Sequence, residues 1–296
     1  MNVITLRPVW YILSGTMIGL SILFLAIWGL KQGIDFTGGS LLAVKYNTRP
    51  TPTEVQQVFD TAHVNLGSIV IQPVGEQEMQ FRLRHMTEEE HQTLIQALKK
   101  KYADAVELRF DAIGPVIGEE LRQKAIRGLV IVLVAIALYV AYVFRKVSVP
   151  VKSWKYGLVT IFTAFHDVIV PIGVFAFLGH FYGIEIGTPF VAAILTILGY
   201  SITDTIVVMD RIRENLQKLS GSFEDIVAAS VRQTFFRSFS TSITTLLVLF
   251  AIHFFGGESL RDFTLTLIIG IATGTYSSIF IASPLLVSWD RWSRKP

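Results

Sequence analysis

Six long apolar runs dominate the chain, and no soluble fold of this size has room to bury them all. They lie at roughly 8–30, 123–144, 155–178, 189–209, 238–255 and 263–287. The first run is about 23 residues; at ~1.5 Å per helical residue it reaches ~34 Å, enough for a hydrocarbon core ~30 Å thick. Composition agrees: 51% of the 296 residues are hydrophobic and 17% are charged, where a soluble domain carries about 25% charged residues. The first run is longer than the ~7–15-residue apolar centre of a cleavable signal, and no A-x-A-like site follows it. Six transmembrane helices are therefore expected.

Between the first and second runs lies a polar stretch of about 90 residues with its own pattern. SLLAVKY (40–46) alternates and is β-rich. TPTEVQQVFDTA (51–62) begins with Thr51, Pro52 and Glu54, a capping box with proline at the first helical position. GSIVIQPV (67–74) and MQFRLRH (79–85) read as strands joined by the turn GEQE. TEEEHQTLIQALKKKY (87–102) opens on a second capping box, Thr87 and Glu90, and closes on three lysines that complement the helix dipole. AVELRFD (105–111) is the last strand. The order βαββαβ is the split-βαβ, ferredoxin-like arrangement. The expected fold class is an α-helical membrane protein of six transmembrane helices plus one external ferredoxin-like α+β domain. Its divisions fall at 1–32 (first helix), 33–120 (external domain) and 121–296 (five-helix bundle).

Short-loop charges orient these spans. Arg145, Lys146, Lys152 and Lys155 follow the second span; Arg211, Arg213, Lys218, Arg232 and Arg237 follow the fourth; Arg291, Arg294 and Lys295 follow the sixth. GHFYGIEIG, after the third, has no Lys or Arg, and the loop after the fifth has only Arg261. The positive-inside rule then places both termini in the cytoplasm and the long polar segment outside. The net charge of +3 is thereby accounted for, and no nucleic-acid partner is needed. With no cysteine, disulfides, thiol catalysis and Cys-ligated metal are excluded.

The glycine-rich stretch GIDFTGGS (33–40) is not a phosphate cradle. Ser40 and Leu41 follow Gly38-Gly39, so the lysine of G-x-x-x-x-G-K-[ST] is missing, and no G-K-[ST] occurs in the chain. Gly38 and Gly39 instead read as a tight turn from helix to strand that uses positive φ. No Ser-His-Asp set, G-x-S-x-G elbow or spaced carboxylate pair suggests hydrolysis. The histidines are scattered, so no metal site is expected. No cofactor is expected.

Four segments together carry a resemblance: GIDFTGGS; IGPVIGEEL (113–121); GYSITDTIVVMDRIREN (199–215); and FFRSFSTSITTLLVLFAIHFFGG (235–257). They resemble the SecF branch of the SecD/SecF protein-export family, within the RND superfamily, along nearly the whole chain. The resemblance implies half of an RND-type bundle, SecD as the partner half, and the SecYEG translocon and an emerging preprotein chain as further partners. It implies a multi-pass protein of the bacterial cytoplasmic (inner) membrane, surrounded by lipid. It also implies an accessory transport role rather than an enzyme activity, with the proton-motive force as energy source and protons as coupling ion.

Asp204 stands inside the fourth span, about five residues or ~7.5 Å from its expected end at Met209. An ionisable group there costs roughly 2.5–3.5 kcal/mol on insertion scales and marks an ion or proton path. The plainer reading is a carboxylate hydrogen-bonded to neighbours such as Thr205 or Ser201. The resemblance maps the family's proton-path aspartate onto Asp204 and a functional arginine onto Arg237. Arg237 reads otherwise as a snorkelling, positive-inside arginine. Asp167, after His166 in the third span, reads as a second relay or as an interhelical anchor, and His166 as a packed polar residue. Ser238, Ser240, Thr241, Ser242, Thr244 and Thr245 open the fifth span. They read equally as the lining of a water file or as interhelical glue worth ~0.6 kcal/mol each. Gly270 and Gly274 form GxxxG, a close-packing signature, with Ser277 and Ser278 one turn on. Glu119 and Glu120 read as interfacial charges or as a proton entry, and Asp210, Arg211, Arg213 and Glu214 as a solvated amphipathic helix end or as a relay to water. Two other classes stay open: a proton-driven exporter of a lipid or small molecule, and a non-catalytic scaffold.

Overall fold

The computed structural model describes residues 3–62, 64–145 and 153–293. Lys146, Lys152, Arg294 and Lys295 among the orienting charges lie outside the described residues. The chain divides into two compact units: Gln32–Ile126, and Met1–Lys31 with Arg127–Pro296.

In the first unit, β1 (Gly39–Lys45), β2 (Val70–Val74), β3 (Glu78–Leu83) and β4 (Val106–Ile113) form one sheet in the order β2-β3-β1-β4. All three pairings are antiparallel, with Leu42 opposite Phe81 on one side and Phe110 on the other. Helices α3 (Pro52–Thr61) and α4 (Glu88–Lys101) supply the rest of the core. Val55, Phe59, Leu94 and Leu98 pack there with Leu42 and Phe81. Both helices start where local chemistry dictates: Thr51 and Thr87 each cap the N3 amide while Glu54 and Glu90 reach back, completing both capping boxes. This is the βαββαβ arrangement read from the polar segment.

The GIDFTGGS stretch holds a feature not read from the sequence, a four-residue helix α2 (Ile34–Thr37). It ends on Gly38 (φ 70°), followed by Gly39 (φ 123°), conformations that L side chains rarely adopt. Space is tight as well: a Cβ on Gly38 would lie 2.7 Å from the Cα of Pro115, and one on Gly39 2.8 Å from the carbonyl oxygen of Leu83. Gly118, in the helix that follows β4, leaves the same gap from the other side: a Cβ there would sit 2.7 Å from the Gly38 nitrogen.

Among the described residues, six helices or helix pairs are long and apolar enough to cross a membrane. They are α1 (Arg7–Trp28), α5 (Pro115–Val143), α6 (Ser153–Tyr182), α7 (Thr188–Lys218), α8 (Phe223–Phe255), and α9 (Arg261–Ser277) continued by α10 (Ser283–Ser293). Three run beyond the apolar windows expected of them. α5 begins at Pro115 rather than near 123, because proline suits a first helical position. α7 continues to Lys218 through ion pairs on its surface, among them Asp210–Arg213 at 2.6 Å. α8 starts at Phe223 because Ser222 accepts the amide of Asp225 as an N-cap. Between α9 and α10 the chain takes one π-helical turn, Ser278–Ala282.

Close packing centres on small residues. A Cβ on Gly270 would meet Ile197 of α7 at 2.1 Å, and one on Gly274 would meet Ser201 at 3.0 Å. Gly173 gives α1 the same room, since a Cβ there would lie 2.3 Å from Ser21. The outer faces are apolar: Ile12, Leu138, Leu247 and Phe255 are all exposed.

Candidate functional site

The interior of the helical unit holds two carboxylates, each seated by hydroxyl groups from other helices. Asp167 of α6 is fully buried, as is His166 beside it. Its Oδ2 accepts from Ser201 Oγ of α7 and, at 2.7 Å, from Ser277 Oγ of α9; its Oδ1 lies 2.8 Å from His166 Nδ1. Three partners are what a buried carboxylate needs, since an ionised one left bare in an apolar medium is very costly. The same helix is locally weakened. Pro171 stands four residues on, has no amide hydrogen, and so gives the Asp167 carbonyl no helical donor. On the ring's other side, His166 Nε2 is buried with no hydrogen-bond partner among the described residues.

Asp204 of α7, one helical turn beyond Ser201, is half-buried. Its Oδ1 accepts from Ser238 Oγ of α8 and its Oδ2 from Ser278 Oγ in the π turn. Thr205, named from the sequence as a neighbour for Asp204, has a buried hydroxyl with no partner among the described residues. Ser201, the other neighbour considered, serves Asp167 instead. Tyr200 of α7, Ser242 of α8 and Thr275 of α9 add a third polar contact, with Ser242 Oγ 3.1 Å from the Tyr200 hydroxyl and 2.5 Å from Thr275 Oγ1.

Arg237 is exposed and, among the described residues, forms no ion pair with Asp204. It is the residue before Ser238, and Asp204 is held by hydroxyls rather than by a guanidinium. The hydroxyl-rich opening of α8 divides by face. Ser238 and Ser242, four apart, are buried and reach α7 and α9. Thr241 and Thr244 are exposed, and with Thr245 they donate to carbonyls of their own helix, those of Arg237, Ser240 and Thr241. Ser240 is half-buried. Glu119 pairs with Arg122 and Glu120 with Lys124 on the surface of α5, contacts of small energetic weight. Among the described residues no group of three or more His, Asp or Glu gathers to hold a metal ion.

Sequence reasoning missed two partners. Ser277 and Ser278 read as packing residues beside the GxxxG pair, and both are carboxylate donors. Asn215, next to the charged run that ends at Glu214, drew no reading of its own. It is buried, and its Nδ2 donates to Ser230 (2.9 Å) and Gln233 (2.8 Å) of α8. Its place in an amphipathic run, on the apolar side with Ile212, was the available signal.

A six-helix membrane unit with ionisable groups buried among its helices, joined to a ferredoxin-like α+β unit, defines a multi-pass membrane protein of transporter type. The family description "Protein export membrane protein SecD/SecF, C-terminal" matches residues 93–292, and the "SecD/SecF GG Motif" matches residues 24–48, which include Gly38 and Gly39. The chain is 39% identical to the protein translocase subunit SecF of Thermobaculum terrenum, covering 98% of this chain and 94% of that one. It is 37% identical to the SecF of Haemophilus influenzae, over 96% and 84%. The crystal structure of SecDF from Thermus thermophilus superposes with a TM-score of 0.85 at 33% identity, covering 98% of this chain and 39% of that longer one. The chain belongs to the SecD/SecF family of protein-export membrane proteins.

Proposed function

We propose that this protein is a SecF-type accessory subunit of the Sec protein translocase, and that with a SecD partner it uses the proton-motive force to promote export of secreted proteins. The likeness to SecF subunits over nearly their whole length supports the export role. Fusion of SecD and SecF in one Thermus thermophilus chain supports SecD as the partner; the present chain spans 39% of that structure, so the remainder of its activity would come from the SecD part. In this reading the membrane is the bacterial cytoplasmic membrane, both termini are cytoplasmic, the α+β unit is external, and SecYEG and the emerging preprotein are the further partners. Lipid surrounds the apolar helix faces. Protons are the coupling ion, and no cofactor or covalent step is involved.

The observation that carries the proton part is Asp204, a half-buried carboxylate inside a membrane helix whose seat consists of two neutral hydroxyls. Protonation changes its charge while leaving both donors able to turn elsewhere. The energies match: one proton moving through 100 mV releases about 2.3 kcal/mol, and a hydrogen bond to a charged group is worth about 1.5–3 kcal/mol. One proton therefore suffices to exchange about one such bond. Arg237 answers the charge of Asp204 at a distance or in another conformation of the cycle. Asp167, deeper and with an imidazole beside it, is the second proton-binding group; Thr205 and Ser240 line the route, and Thr241 and Thr244, outward on α8, line it on the side where the SecD half would pack.

The test is completion of preprotein translocation in vesicles holding this protein and its SecD, with and without a proton gradient, for wild type and Asp204→Asn. The expected result is that the gradient accelerates the wild type and leaves the assembled variant unaffected. An equal response from both makes Asp204 structural. Substrate-stimulated proton flux with no effect on secretion would instead favour an exporter of lipid or small molecules.

A further inference from the structure

Asp167 and Asp204 lie on different helices, yet one donor to each comes from adjacent residues, Ser277 and Ser278, where α9 gives way to the π turn. Each of these serines has a second acceptor within reach. Ser277 Oγ lies 3.0 Å from the carbonyl oxygen of Gly274, and Ser278 Oγ lies 3.1 Å from that of Thr275. A hydroxyl has one hydrogen to give. It gives it to an ionised carboxylate, because a charge-assisted bond is roughly twice as strong as a neutral one. A carboxylic acid forfeits that advantage, and the helix's own carbonyl then competes on equal terms. We infer that Ser277 and Ser278 are positioning residues that couple the two aspartates, their hydroxyls switching between carboxylate and helix carbonyl as each aspartate gains or loses a proton.

The two neighbours can act this way because they point to different helices where α9 meets the π turn. Successive residues of a helix point ~100° apart, so one serine faces α6 and the next faces α7. A π turn is a local departure from the α ladder and is common at functional sites. A change in hydroxyl direction at Ser278 alters the last turn of α9, to which Ser277 belongs, since the Ser278 amide donates to the same Gly274 carbonyl. On the opposite side of Asp167, the bond missing at Pro171 gives α6 freedom to follow. The other ionisable groups around the pair are few. His166 stands beside Asp167 on α6, and Tyr276 of α9 lies with its ring centre 6.1 Å from the His166 ring. Tyr200 of α7 is tied to Ser242. From α8, Asp204 meets Ser238, and the neighbouring Arg237 is exposed.

This inference rests on the proposed proton-driven role, but its readout is titration rather than translocation. The measurement is the infrared carboxyl stretch of the full chain in liposomes as a function of pH, with the Asp204 band assigned by its loss in Asp204→Asn. In the native background, Asp167→Asn is expected to shift the Asp204 midpoint. In Ser277→Ala/Ser278→Ala the same substitution is expected to shift it no more than about half as far, the double-mutant difference isolating the serine pathway from through-space electrostatics. Ser277→Thr/Ser278→Thr, which keeps both hydroxyls, restores the full shift. An equal shift in the native and double-alanine backgrounds overturns the inference. Should the double variant fail to fold, Ser277→Ala alone decides: of the two aspartates its hydroxyl touches only Asp167, so it must still move the Asp204 midpoint, and no movement overturns the coupling. A translocation assay in which Asp204→Asn is silent would overturn the proposed function and leave this coupling standing.

Discussion

In the α+β unit, Phe59, Phe81 and Leu94 are buried, while Glu54, Glu88 and Glu89 stand in solvent. In the helical unit the buried set includes His166, Asp167, Ser201, Ser277 and Ser278, while Ile12, Leu138, Leu247 and Phe255 face outward. The two units answer different solvents. Water drives apolar side chains together, so the small domain is stabilised by its core. Lipid tails are as apolar as leucine and offer no such drive, so membrane helices associate through close packing of small residues and through hydrogen bonds. The inverted polarity also gathers the chemistry inside the helical unit, where Ser201, Ser238, Ser277 and Ser278 give their hydroxyls to Asp167 and Asp204.

One substitution made in both units breaks or sharpens this contrast most directly. Leu94→Ala removes a fully buried side chain of α4 and is expected to cost about 2–5 kcal/mol, from lost transfer energy plus the cavity left behind. Native-state hydrogen exchange on the full chain reads this as faster opening of α4 and β3, with the transmembrane amides unaffected. Uniform acceleration of both units would mean that they unfold as one, and the comparison would fail.

Next in size is Gly270→Leu, the counterpart in the helical unit. A side chain there collides with Ile197, whose Cδ1 would lie 2.1 Å from the new Cβ. Overpacking of this kind costs about 1–3 kcal/mol and at times more. The expected outcome is a lower unfolding midpoint in detergent and faster amide exchange, first along α7 and α9. A variant as stable as wild type would show that close approach at Gly270 is not what holds these helices.

A smaller effect tests the charged exterior of the α+β unit. Thr87→Ala removes the N-cap of α4 and is expected to cost about 1 kcal/mol. Its partner Glu90 adds a pH signature. The Arg84 guanidinium first, then the Thr87 amide, hold the Glu90 carboxyl below its ordinary value of 4.5. A group depressed in the folded state stabilises above its unfolded pKa and loses that contribution as pH falls through the folded value. Protection of α4 should therefore decline below about pH 4.5, and Glu90→Gln should flatten the decline. A steeper decline in Glu90→Gln would show the sign to be wrong.

What the sequence made legible follows the same division. The α+β unit was readable because its signals are local: T-x-x-E boxes, alternation and a four-residue turn are each set by neighbours in the chain. The spans were readable as apolar lengths, but their ends were not, because α8 starts on a cap, Ser222 with Asp225, and α7 continues on surface ion pairs such as Asp210 with Arg213. Asp167 and Asp204 stood out because charge inside an apolar run is conspicuous. Their partners did not. The six hydroxyl residues from Ser238 to Thr245 read as one set, whereas packing turns Ser238 and Ser242 inward and leaves Thr241 and Thr244 outside. In YSSIFIAS nothing local distinguishes a π turn from an ordinary apolar helix, so the roles of Ser277 and Ser278 depend on α6 and α7, helices distant in sequence.

The smallest expected effect closes the comparison opened by Leu94. Leu247, on α8, is 63% exposed, and Leu247→Ala makes the same chemical change on the lipid-facing side. Removing a side chain from water-free surroundings transfers nothing into water, and lipid fills the space, so no cavity forms. The cost is expected to stay within about 0.5 kcal/mol, as for substitutions away from packed contacts, when unfolding is followed by denaturant titration in mixed micelles. A loss approaching that of Leu94→Ala would mean that this face of α8 is packed against protein in the assembled state, and that the outward apolar surface is in part an interface and not only a boundary with lipid.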